Sequence, residues 1–109
     1  SDDWGISRSS TLYKVMQEAI DNQYYNVDQY SEIEDHEDRL RVLLQEYAYW
    51  LIYTSWDLRE KYGPQEAEWS IFNSTELNEK LPGSYQLYDS VIPKVMNSPS
   101  IETLESFIN

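Results

Sequence analysis

Hydrophobic positions along this chain gather most densely between Leu40 and Trp56, a stretch that holds a single acid, Glu46. Leu40, Leu44, Tyr47, Leu51, Thr54, Leu58 and Tyr62 recur at spacings of three and four, which is the period of one helix face. Val42, Tyr49, Tyr53 and Trp56 form a second stripe round the side, and Ile52 points in a third direction. A helix that is apolar on nearly every side must be covered on nearly every side. The pattern therefore predicts a central helix within about 32–62, ended by Gly63-Pro64, with the other elements packed around it. At 1.5 Å per residue the full span would reach roughly 45 Å. That length is large for so short a chain, so a bend or a later start near Asp38 is expected.

The flanking segments also read as helices. Ser10 is a suitable N-cap, because its hydroxyl can accept an orphan backbone N–H. After it Leu12, Val15, Met16, Ala19, Ile20 and Tyr24 make one apolar stripe that fades near Asn26. Ser31 and Glu34 have the spacing of a capping box for the central helix. Pro64 can open a short third helix carrying Ala67, Trp69, Ile71 and Phe72. Ser74 can cap another turn or two that Pro82-Gly83 ends, and Ser84 can cap a helix carrying Tyr85, Leu87, Tyr88 and Val91. Pro93 should kink or divide that helix, and Ser98-Pro99 begins a last one with Ile101, Leu104 and Phe107 on its apolar face. Strand-like alternation is nearly absent. The expected fold is all-α: a small bundle of four to five helices around a long central helix, forming one domain.

Composition refines this picture. Of 109 residues only 40 % are hydrophobic, but they include ten Tyr and four Trp, and large rings can close a core with few members. Most rings therefore read as core. Trp4 and Trp69 lie outside the main stripes and are the candidates for exposed contacts. The formal net charge of −12 disfavours direct binding to nucleic acid phosphates or anionic lipid, and suits a basic protein surface or a cation. With no cysteine, disulfides, thiolate metal sites and a cysteine nucleophile are excluded. No apolar run approaches the roughly 20 residues of a membrane-spanning helix. The chain starts at Ser1 rather than Met, which reads as a trimmed or exported product or one domain of a longer protein, with an extracytoplasmic setting slightly preferred.

Candidate chemistry is sparse. Asp28, Glu32, Glu34, Asp35, Glu37 and Asp38 form an acidic cluster at the start of the central helix. Acids there complement the positive end of the helix dipole, so the cluster has a structural explanation as well as a functional one. Glu32 and His36 stand four apart, but two ligands on an exposed turn do not make a metal site, and no Glu-x-x-His motif is present. The cluster also lacks the glycine and ligand spacing of a calcium-binding helix–loop–helix. Glu46 borders the second apolar stripe and is the candidate buried acid; burial would raise its pKa and fit it for proton transfer, whereas a basic partner would make it structural. Serine-nucleophile, phosphate-loop and dinucleotide motifs are absent, and no cofactor is implied. Asn73-Ser74-Thr75 matches a glycosylation sequon of low specificity. Three functions remain, in order of preference: a non-enzymatic interaction domain using its acidic face; an acidic inhibitor or immunity-type protein imitating nucleic acid charge; and a fragment of an enzyme or ligand-binding protein whose other site residues lie outside this chain.

Overall fold

Among the described residues one helix touches every other helix. In the computed structural model, which describes residues 5, 7–62 and 68–91, α1 spans Thr11–Asp21, α2 His36–Ser55, α3 Leu58–Tyr62, α4 Ser74–Lys80 and α5 Pro82–Val91. A 3-10 turn, Asp28–Glu32, lies between α1 and α2. Helix α2 packs against α1, α3, α4, α5 and the 3-10 turn. The described residues form an all-α bundle of five helices. The expected stop at 63–64, the kink at Pro93 and the last helix from Ser98 lie outside the described residues, as does Trp4.

The reason for α2's central place is its coat of apolar side chains. Leu44, Tyr47, Leu51 and Thr54 on the first stripe are 0–1 % exposed, Leu40 extends it toward the N-terminus, and Leu58 is buried as the first residue of α3. Ile52 and Tyr53 are buried in other directions. Val42, Tyr49 and Trp56 are half-buried, so the second stripe is covered less completely. Tyr62, the last member of the expected first stripe, is exposed instead, because the helix that would have carried it inward ends at Ser55.

Helix α2 starts at His36, close to the later start expected near Asp38, but its cap is not the expected Ser31 and its C-terminal end comes earlier than 62. Asp35, not Ser31, is its N-cap: the carboxylate accepts the amides of Glu37 at 2.9 Å and Asp38 at 3.0 Å. An ionised cap satisfies two orphan donors and meets the helix dipole as well, which a hydroxyl cannot match. Ser31 instead donates its hydroxyl to the Asp28 carbonyl within the 3-10 turn. At the other end Asp57 takes a left-handed conformation, φ 57°, and its amide returns to the Thr54 carbonyl at 2.9 Å. Asp tolerates that region better than most residues with a side chain. Its carbonyl then accepts the Lys61 amide of α3 and its carboxylate accepts the Ser74 amide at the start of α4. The break at 56–57 shortens α2 to 20 residues, roughly 30 Å.

Helix α1 follows its pattern closely. The Ser10 hydroxyl accepts the Tyr13 amide at 3.0 Å, and Leu12, Val15, Met16 and Ala19 are buried. The helix closes with a double return: Gln23 N–H to the Ile20 carbonyl and Tyr24 N–H to the Ala19 carbonyl, with Gln23 left-handed at φ 66°. That turn throws Tyr25 into the core, where it pairs as an isolated antiparallel bridge with Trp69.

The 68–73 segment is extended rather than helical, which overturns the expected third helix over the part that is described. Asn26 N–H bonds to the Glu68 carbonyl at 2.8 Å and Ser70 N–H to the Tyr24 carbonyl at 3.1 Å, so the backbone groups are satisfied across the chain. Trp69, expected to be exposed, is wholly buried and sits at the middle of the aromatic core. Its ring stacks on Trp50 with centroids 6.4 Å apart and meets Tyr25 and Tyr47 edge-on, and its indole N–H donates to Thr54 Oγ1 at 2.9 Å. Arg59 fixes the segment from below: its buried guanidinium donates to the carbonyls of Trp69 and Ile71 and lies 5.5 Å over the Trp50 ring.

Asn73 caps α4 by accepting the Glu76 amide at 2.9 Å, and its side-chain amide donates to Glu60 at 2.7 Å. The sequon asparagine is thus engaged in structure on both of its polar atoms. Helix α5 starts at Pro82 rather than after Ser84, since Pro at a first helical position loses no hydrogen bond. Ser84 is buried inside α5 and shares a 2.7 Å hydrogen bond with the Tyr47 hydroxyl. Gly83 of α5 faces α1, where a Cβ would make an ordinary contact of 3.4 Å with Val15 Cγ1.

Candidate functional site

The six acids of the cluster follow one another along the chain from the 3-10 turn into α2, and we call this stretch the acidic edge. Asp28 and Glu32 begin and end the 3-10 turn, Glu34 lies in the link to α2, Asp35 caps α2, and Glu37 and Asp38 belong to its first turn. All six are exposed. Three have local tasks. Asp35 is held by its two cap hydrogen bonds. Glu37 pairs with Arg8 at 3.2 Å and Asp38 with Arg41 at 3.9 Å, both across well-solvated side chains. Such exposed pairs contribute little to stability. Asp28, Glu32 and Glu34 have no ion pair among the described residues. His36 is exposed as the first residue of α2, whereas Glu32 lies in the 3-10 turn, so the two do not share a helix face. No group of three or more His, Asp and Glu side chains able to hold a metal occurs among the described residues.

Behind this edge lies a carboxylate the sequence did not single out. Glu68 accepts from the Gln29 side-chain amide, from the Tyr30 hydroxyl at 2.9 Å and, on its other oxygen, from the Trp50 indole N–H at 2.7 Å. One half-buried acid therefore ties the 3-10 turn, α2 and the 68–71 segment together. Hydrogen bonds to a charged acceptor are the stronger kind, about 1.5–3 kcal/mol each when buried and less where water competes. The clamp sets where the acidic edge stands relative to the core. Nothing in the spacing of Glu68 marked it: its three donors come from residues 18 to 39 positions away.

Glu46 is half-buried rather than buried. It lies near Tyr25 and Tyr30, and its charge, with that of Glu68, opposes their ionisation. Burial is the larger cause for both phenols and keeps them protonated well above the ordinary tyrosine range. Tyr25 donates to the Leu43 carbonyl at 2.9 Å and Tyr30 to Glu68, so both hydroxyls are committed to structural bonds. A cleft of about 300 Å³ beside the edge is lined by Ile20, Gln23, Tyr25, Asn26, Val27 and Asp28, and Glu46 is not among them. Proton transfer at Glu46 would require converging polar groups and room for a substrate.

No protein family, curated protein or solved structure matches the chain. No described helix is long and apolar enough to cross a membrane.

Proposed function

We propose that the protein is a non-enzymatic interaction domain that offers its acidic edge to a basic protein surface. One observation carries this reading. Six exposed carboxylates follow one another along the 3-10 turn and the first turn of α2, and three of them, Asp28, Glu32 and Glu34, have no ion pair among the described residues. The edge is tied to α2 by the Asp35 cap on one side and to the core by the Glu68 clamp on the other. A fixed array of like charges accelerates and orients association with a basic surface more than a mobile one does. Concentration of the acids on one edge supports this reading over imitation of nucleic acid, which asks for charge spread along a face.

The test uses an octalysine peptide and calorimetric titration at low and moderate salt. The variant Asp28→Asn/Glu32→Gln/Glu34→Gln is compared with Asp21→Asn/Glu79→Gln/Asp89→Asn, which removes the same charge from exposed positions elsewhere. The edge variant should weaken binding by about tenfold or more, and the control by about twofold. Equal losses in both variants would show that only overall charge matters, and the reading would fall.

A further inference from the structure

The acidic edge has a basic neighbour. Between α1 and the start of α2 the surface sinks into a cleft of about 160 Å³. Its apolar floor is made by Met16, Leu40 and Leu43, the first two of them nearly inaccessible to solvent. Around the rim stand Arg8, Arg39, His36, Gln17 and Tyr13. The whole chain has eight Lys and Arg and one His. Two of those cations and the only histidine thus line one small cleft in a protein of net charge −12.

Their hydrogen-bonding state sharpens the point. Arg39 is half-buried, yet its guanidinium makes no hydrogen bond or ion pair among the described residues, although Asp35 and Asp38 are close by in sequence. Asp35 is occupied by the α2 amides and Asp38 leans to Arg41. The side chains of Gln17, Tyr13 and His36 likewise have no hydrogen-bond partner among the described residues. A concave site with an apolar floor and several unused donors converging on it has the form of a small-ligand site.

The geometry points to a binding site for a small organic monocarboxylate in this cleft. The carboxylate meets Arg39, whose planar fork matches two carboxylate oxygens, with Arg8 and the neutral donors at the rim. The apolar body, a ring or a short alkyl chain, lies on Met16, Leu40 and Leu43. The accessible volume of about 160 Å³ suits a small acid better than a large one. Glu37, which holds Arg8 at 3.2 Å, competes with the ligand for that cation. This site adjoins the proposed acidic docking edge through the Glu37–Arg8 pair, but its binding groups are not those of the edge and the two are tested independently.

The experiment is NMR titration of the isotope-labelled protein with benzoate and hexanoate. Benzyl alcohol supplies the same body without charge, and acetate and inorganic phosphate supply charge without the body. Benzoate or hexanoate should shift the amides of 13–17 and 36–43 saturably, in the millimolar range, and the control compounds should bind about tenfold more weakly or not at all. Arg39→Gln should abolish saturation, Arg39→Lys should retain part of it, and Glu37→Gln should tighten binding by freeing Arg8. Acetate or phosphate binding as well as benzoate would overturn the proposal, leaving a general anion site. Unchanged binding in Arg39→Gln would overturn it too. Should Arg39→Gln melt early, Glu37→Gln decides the matter: tighter binding supports the site, and equal or weaker binding refutes it.

Discussion

Thr54→Val isolates one atom of the core. Thr54 and Trp69 are both wholly inaccessible to solvent, and the indole N–H donates to Thr54 Oγ1 at 2.9 Å. Valine keeps the branched shape but offers no acceptor. The indole N–H would then be buried without a partner, at a cost of about 1–3 kcal/mol. Exchanging the hydroxyl for a methyl returns up to about 0.8 kcal/mol of apolar burial. The net expectation is a loss of about 1–2 kcal/mol, seen in urea unfolding followed by far-UV circular dichroism as a lower midpoint at an unchanged slope. For a chain of this size that corresponds to a fall in Tm of roughly 4–16 °C. Trp69→Phe removes the donor along with part of the ring, and should cost about 2–3 kcal/mol. In the double variant no orphan N–H remains, so its loss should fall short of the sum of the two by about 1 kcal/mol. Thr54→Val within about 0.3 kcal/mol of wild type, together with strict additivity in the cycle, would refute the argument that Trp69 is hydrogen-bonded in a dry core.

Further expectations concern the buried cation and the titrating groups. Arg59→Met should destabilise by about 2–4 kcal/mol in the same urea assay, because the Trp69 and Ile71 carbonyls lose their donor; Arg59→Lys should rescue it only in part, since an ammonium cannot reproduce the fork. Burial raises the phenols of Tyr25, Tyr30, Tyr47 and Tyr88 above the ordinary tyrosine value, with the Ser84 hydrogen bond opposing the rise at Tyr47. These four tyrosines should therefore remain protonated in an ultraviolet titration until the protein unfolds. Their contribution to stability is complete below about pH 10, the unfolded value, and declines as pH rises beyond it. At Glu76, partial desolvation raises the pKa, but hydrogen bonds from Lys80 at 2.7 Å and the Phe72 amide at 2.6 Å outweigh it, and the net shift is downward. The stability this supplies is present above the unfolded value of about 4.3 and is lost as pH falls through the lower folded value. Glu76→Gln should accordingly flatten the acid side of the stability profile.

The sequence period was a good guide wherever a helix buries a continuous stripe. Leu12, Val15, Met16 and Ala19 on α1, and Leu40, Leu44, Tyr47, Leu51 and Thr54 on α2, are buried as their spacing predicts. Ends were less legible where they depend on competition between neighbouring caps. Ser31 and Asp35 are both reasonable N-caps, and the ionised one prevails because it satisfies two amides. Gln23 and Asp57 end α1 and α2 in left-handed conformations without a glycine to announce them. Trp69 carries no periodic signal, because its burial arises from the bridge to Tyr25 and the carbonyl grip of Arg59, both made by residues distant in sequence. The same holds for the site. The acids from Asp28 to Asp38 are contiguous in sequence and so were visible as an edge. The Glu68 clamp draws on Gln29, Tyr30 and Trp50, and the cleft around Arg39 draws on two helices, so neither leaves a local pattern.

The central claim is that the edge from Asp28 to Asp38 is the surface a basic partner meets. Carbodiimide cross-linking of the octalysine peptide to the native protein, with the joined acids identified by mass spectrometry, tests it most directly. Cross-links should concentrate on Asp28, Glu32 and Glu34, whose carboxylates are exposed and have no ion pair among the described residues, and should disappear as salt screens the attraction. Cross-links spread evenly over these three and the equally exposed Asp21, Glu79 and Asp89 would contradict the account.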